Sequence, residues 1–218
     1  MSRDLLRIVI VGACVLPQAV VLSGRSPAVL AIDAARSQIR IEVGKTGMFG
    51  FAGHAHEVAA TDVHGRVTLD PTDLQHASVW LELPSVALRV TGKGESPADA
   101  ADVQKVMAGN QVLDVVHFAT IVFSSRRVLV TARAAGTADV VIEGDMTLRG
   151  TTRPMTIRAS VVLDAGGQLT ARGSFVLKQT DFGMVPVTAM GGTIRVKDEL
   201  DVRFVLSTRP SDEPESPQ

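Results

Sequence analysis

From Ile39 onward, apolar and polar residues alternate along most of the chain. Ile39, Ile41 and Val43 alternate with Arg40 and Glu42, and Val63, Gly65, Val67 and Leu69 with His64, Arg66, Thr68 and Asp70. Val79, Leu81 and Leu83 follow, then Ile121 and Phe123, a weaker run from Val128 to Arg133, and Val140, Ile142, Met146 and Leu148. Met155, Ile157, Ala159, Val161 and Leu163 come next, then Leu169, Ala171, Gly173, Phe175 and Leu177, and last Leu200, Val202, Phe204 and Leu206. Side chains of an extended backbone point to opposite faces in turn, so each run predicts a strand with one buried and one wet face. The glycine-bearing breaks Arg149-Gly150-Thr151-Thr152 and Ala165-Gly166-Gly167-Gln168 predict hairpin turns. About eight antiparallel strands result.

One segment has a different period. Ser96 precedes Pro97 and stands three residues before Asp99, and Ala100, Val103, Val106 and Met107 then recur at helical spacing. This predicts one short amphipathic helix from about Pro97 to Ala108, crossing an opening or flank of the sheet. Strands with a single apolar face must pair as two sheets or close on themselves. Eight is about the number at which a closed barrel is filled by side chains or holds one small ligand.

Composition narrows the function. The chain has 218 residues, 22 basic against 23 acidic, so no net field draws it to nucleic acid or an anionic membrane. The Arg126-Arg127 pair has no neighbouring aromatics, which argues against a nucleic-acid groove. Gly-x-Ser-x-Gly, Walker A and His-Glu-x-x-His motifs are all missing, and Asp181-Phe182-Gly183-Met184 stands without any other kinase motif; the chain is not expected to be an enzyme.

At the start, Arg3 and Arg7 precede an apolar run from Ile8 to Leu22, the layout of a secretory signal and too short for a confident span. Cleavage is expected after Ala31, with Ala28 the alternative, and retention of the segment as an anchor stays open. Val11-Gly12-Ala13-Cys14 superficially resembles a lipoprotein box, but only six apolar residues separate Arg7 from Cys14, and Cys14 is read as part of the signal. The last ten residues, from Arg209, are rich in Pro, Ser, Asp and Glu and are expected to be disordered. The expected organisation is thus a signal over 1–31, a β-domain over 32–208 and a tail over 209–218.

Several stretches in this order resemble the YceI-like family of exported bacterial proteins: IDAARSQIRIEV, FGFAGHAHEV, VHGRVTLD, VLDVVHFATIVFSS, IEGDMTLRGTTRPMTI and LKQTDFGM. The resemblance spans about Ile32 to Ser207 and implies a lipocalin-like, eight-stranded antiparallel β-barrel holding a polyisoprenoid or isoprenoid-quinone-like chain, in a periplasmic or secreted protein. It implies no required cofactor. Assembly as a homodimer is left open. Val67, Leu69, Leu81, Leu83, Ile121, Phe123, Met146, Leu148, Phe175 and Leu177 are the expected lipid-lining residues, being inward phases of successive strands.

Where many family members read approximately F-x-G-x-F, this chain has Phe51-Ala52-Gly53-His54-Ala55-His56. Residues two apart on a strand share a face, so His54 and His56 point the same way. They are expected at the rim, near water and open to a polar head group. The alternative is a metal or haem site, for which two imidazoles are too few and a third ligand would come from His64, His117, Glu57 or Asp62.

Overall fold

The computed structural model describes residues 27–46, 55–70, 72–189 and 194–211. Most of the expected signal, Cys14, His54 and most of the expected tail lie outside them. The strands are β1 (Ala28–Ile32), β2 (Gln38–Thr46), β3 (His56–Ala60), β4 (His64–Asp70), β5 (Asp73–Pro84), β6 (Leu88–Val90), β7 (Thr120–Ala134), β8 (Thr137–Leu148), β9 (Thr151–Leu163), β10 (Leu169–Lys178), β11 (Thr188–Ala189) and β12 (Ile194–Pro210). Helix α1 spans Pro97–Ala108.

These segments make eight continuous ribbons. β1 and β2 run in line along one side of β12, Leu30 opposite Pro210 and Gln38 opposite Val205, broken by a single 3-10 turn at Ala34–Arg36. The Asp33 carboxylate caps that turn by accepting the Ala35 N–H at 3.1 Å. β4 and β3 pair with β1 and β2 in turn, and β5 and β6 pair with β4 and β3. The order continues antiparallel through β7, β8, β9 and β10 to the other side of β12 and closes the ring. Three of the eight ribbons are broken in the middle, and the short β11 pairs with β12 off the ring, so twelve segments appear where the alternation predicts eight.

Local chemistry sets the turns. Leu148 pairs with Thr151 across a two-residue link in which Arg149 (φ 49°) and Gly150 (φ 69°) are both left-handed, the geometry that matches strand twist. A Cβ on Gly150 would stand 2.6 Å from the Phe118 ring. Inside the barrel, Gly144 and Gly173 lie directly under the rings of Phe123 and Phe204, which fill the space that their own side chains would need.

Helix α1 starts as its sequence predicts. Ser96 Oγ accepts the Asp99 N–H at 3.1 Å and donates to its carboxylate at 2.8 Å, with Pro97 in the first turn. Gln104 docks the helix on the edge of β6: its side-chain carbonyl accepts the Val90 N–H at 2.8 Å and its amide donates to the Leu88 carbonyl at 3.1 Å. A side chain thus takes the place of the next strand where β6 would otherwise leave an open edge.

Both ends of the domain extend past the expected 32–208. Leu30 and Ile32 of β1 are buried, and β12 runs to Pro210, with Leu30 and Ala31 paired to Pro210 and Arg209. A boundary after Ala31 would cut through this strand. Among the described residues, no helix is long and apolar enough to cross a membrane.

Candidate functional site

The barrel is not filled by its own side chains. A cavity of about 540 Å³ occupies one half and is lined almost wholly by apolar groups. A second, of about 320 Å³, occupies the other half, and Val79 and Ile142 border both. Phe204 packs against both buried apolar clusters and meets Phe175 at 6.5 Å between ring centroids. The inward phase of each long strand therefore passes from one cavity to the other at a waist.

Of the expected lining residues, Leu81, Leu83, Ile121, Phe123, Met146, Leu148, Phe175 and Leu177 border the larger cavity, and Val67 and Leu69 border the smaller. The structure brings further walls to the larger cavity: Ile39, Ile41 and Val43 of β2, Val58 of β3, and Val202 and Phe204 of β12. These were legible, since their alternation is as clear as that of the residues chosen. Val103, Val106 and Met107 of α1 roof the same cavity although none of them is buried. Met184, in the turn after Asp181-Phe182-Gly183, reaches it from a loop and carried no periodic signal.

That turn is held from the barrel wall. Phe182 is 1% exposed, Gly183 takes φ 70°, and Arg149 donates both to the Gly183 carbonyl and, at 2.7 Å, to that of Asn110. Arg153 Nε donates to the Asp181 carbonyl at 2.9 Å. The segment is a structural corner, tied to the β8–β9 hairpin and the loop after α1.

Four polar residues interrupt the apolar lining of the larger cavity: Lys45, His56, Asp102 and Gln179. His56 pairs with Val43 across the sheet and shares its inward phase with Val58. Its ring is 15% exposed, and Nδ1 is hydrogen-bonded to Oε1 of Glu95, whose side chain is 5% exposed. The rim position near water is thus revised for His56: it stands in the wall of the cavity, and a buried carboxylate holds it. The expectation for His54 lies outside the described residues.

The residues weighed as a third metal ligand do not converge on His56. His64 turns to Asp62 at 3.1 Å and His117 to Asp114 at 2.8 Å. Glu57 sits on the opposite face of β3, bound to Arg40 at 3.1 Å and facing Lys93 at 3.7 Å. Desolvation pushes the Glu57 carboxyl up, but the Arg40 and Lys93 charges outweigh it and hold it below the usual carboxylate range. Among the described residues, no three His, Cys, Asp or Glu side chains gather as a metal site.

A profile of the YceI-like domain matches residues 30–208. This chain belongs to the YceI-like family. Solved structures agree on the YceI-like fold at low identity. BcnA of Burkholderia cenocepacia superposes with a TM-score of 0.64 at 17% identity, over 82% of this chain and 99% of that one. A polyisoprenoid binding domain from Saccharophagus degradans, implicated in plant cell wall breakdown, gives 0.60 at 11% identity, over 85% and 99%. A YCEI protein of Campylobacter jejuni gives 0.55 at 11%, over 71% and 85%. No curated protein matches the chain.

Proposed function

We propose that this protein is an exported, non-enzymatic carrier that holds a polyisoprenoid or isoprenoid-quinone-like chain inside the barrel. The observation that carries the reading is the 540 Å³ apolar cavity within a closed sheet. A long hydrocarbon gains about 0.8 kcal/mol for each methylene removed from water, so affinity needs volume and apolar wall more than polar contacts. A roofed tube with few polar groups meets that need, and the Saccharophagus degradans relative named for polyisoprenoid binding supports it. The binding role needs no cofactor.

Export rests on Arg3, Arg7 and the apolar run that follows them. Of the two cleavage positions, only the one after Ala28 keeps the buried Leu30 of β1 on the mature chain. Native mass spectrometry with lipid extraction on protein recovered from the cell envelope tests both parts. A bound isoprenoid mass on a chain beginning near Val29 is expected; a full-length chain carrying no hydrocarbon would refute the proposal.

A further inference from the structure

The His56–Glu95 pair is a largely buried polar feature of the larger cavity, and binding of a hydrocarbon gives it no task. Two of its atoms have no partner among the described residues. Oε2 of Glu95 is buried and unsatisfied, and Nε2 of His56 makes no hydrogen bond while its ring lines the cavity. A buried polar atom left open in an otherwise satisfied wall is costly unless something completes it. The side chains arrive from separate elements, His56 from β3 and Glu95 from the turn before α1, where the Glu95 N–H donates to the Gly92 carbonyl at 3.1 Å. Neither is a chance surface neighbour.

The carboxylate does two things. Bonded to Nδ1, it orients the ring and leaves Nε2 as the ring nitrogen free for a ligand in the cavity that the residue lines. It also keeps a carboxyl group in the wall beside the ring, and the character of Nε2 follows the protonation state of the imidazole. If His56 is neutral with its proton on Nδ1, Nε2 accepts; if it is doubly protonated, Nε2 donates. A hydroxyl meets both states, because it can give or take a hydrogen bond. A phosphate oxygen brings acceptors and negative charge beside the Glu95 carboxyl and into a lining where Asp102 adds a second acidic group against the single cation of Lys45.

Resting on the carrier function proposed above, we infer that His56, held by Glu95, is a head-group site that selects isoprenoids ending in a hydroxyl, alcohol or phenol, over those ending in phosphate. His56 Nε2 is the contacting atom. Glu95 is a positioning and charge-setting residue.

The test offers delipidated full-length protein the same C20 isoprenoid as the free alcohol, the monophosphate and the headless hydrocarbon, in pairwise competition read by native mass spectrometry. Wild type should prefer the alcohol over the phosphate by about tenfold or more, and over the hydrocarbon by about three- to tenfold, as one hydrogen bond gives. Glu95→Gln should bring alcohol and phosphate to within about threefold of each other while the hydrocarbon binds as before. His56→Leu should reduce the alcohol to the level of the hydrocarbon; if it does not fold, Glu95→Gln alone decides. Equal binding of all three ligands in wild type, or a preference unchanged in Glu95→Gln, would overturn the head-group site and leave the carrier standing. Failure to bind any of the three would overturn both.

Discussion

The two halves of the barrel enclose space in different ways. The larger cavity has big side chains on its walls, among them Phe123, Met146, Phe175 and Phe204, and α1 bridges it with Val103, Val106 and Met107. The smaller is walled by Ala77, Ala134, Ala138, Ala159 and Ala171, so its volume comes from side chains cut short at Cβ. Their polar groups differ as well. In the lower half, the buried Thr208 hydroxyl is used by the backbone of Leu169, accepting from its N–H at 2.9 Å and donating to its carbonyl at 3.3 Å. In the upper half, Nε2 of His56 has no partner among the described residues. An apolar void with satisfied walls can take the end of a hydrocarbon, whereas a void with an open imidazole has a reason to prefer one end of the ligand. On the head-group site proposed above, the ligand would lie with its head towards α1 and its tail towards the waist at Val79 and Ile142.

The largest effect is expected in the upper wall. Phe123→Asp replaces a ring that is 5% exposed and covers Gly144 with an unpaired carboxyl. Loss of the ring alone costs about 3–5 kcal/mol, and the buried polar group adds about 1–3 kcal/mol. Urea denaturation should show either no folded protein or a midpoint far below that of wild type, with no hydrocarbon co-purifying. Normal stability and lipid content would mean that the upper cavity is not the apolar wall described here.

A gain is expected below. Ala138→Leu together with Ala159→Leu adds methylenes where the smaller cavity has room, and cavity filling of this kind adds about 0.5–2 kcal/mol. The variant should melt higher and, in a mixture of isoprenoid chain lengths, retain shorter ones than wild type. A higher melting temperature with an unchanged length distribution would separate the two cavities functionally and confine the ligand to the upper one.

The smallest effect belongs to the outer face of the same sheet. Because the folded Glu57 carboxyl is held low by Arg40 and Lys93, its stabilisation is fully present above the ordinary carboxylate range and is lost as pH falls through the lowered folded-state value. Arg40→Ala weakens that hold. At neutral pH its melting curve should nearly overlay wild type, as is usual for exposed pairs, while acid unfolding should begin at a slightly higher pH, with lipid content unchanged.

Much of the architecture can be read without coordinates because it depends on neighbours in the chain. Period-2 alternation marks the inward phase of each strand, Ser96-Pro97 with Asp99 opens a helix at the residues where one begins, and Arg149-Gly150 calls for a left-handed turn. Eight of the ten lining residues chosen on phase alone stand in one cavity for that reason. Alternation says which face is inward; it cannot say whether that face is packed or hollow, since a void depends on the size of residues several strands away. Val67 and Leu69 share the phase of the others and still border a separate space. Nor can a repeat announce Glu95, a lone loop residue 39 positions from the imidazole it holds. Pattern along the chain determined the strands, the helix and the inward phase. Ring closure alone decided where the barrel stays empty and brought His56 to Glu95, because both depend on side chains that meet only once distant strands are in register.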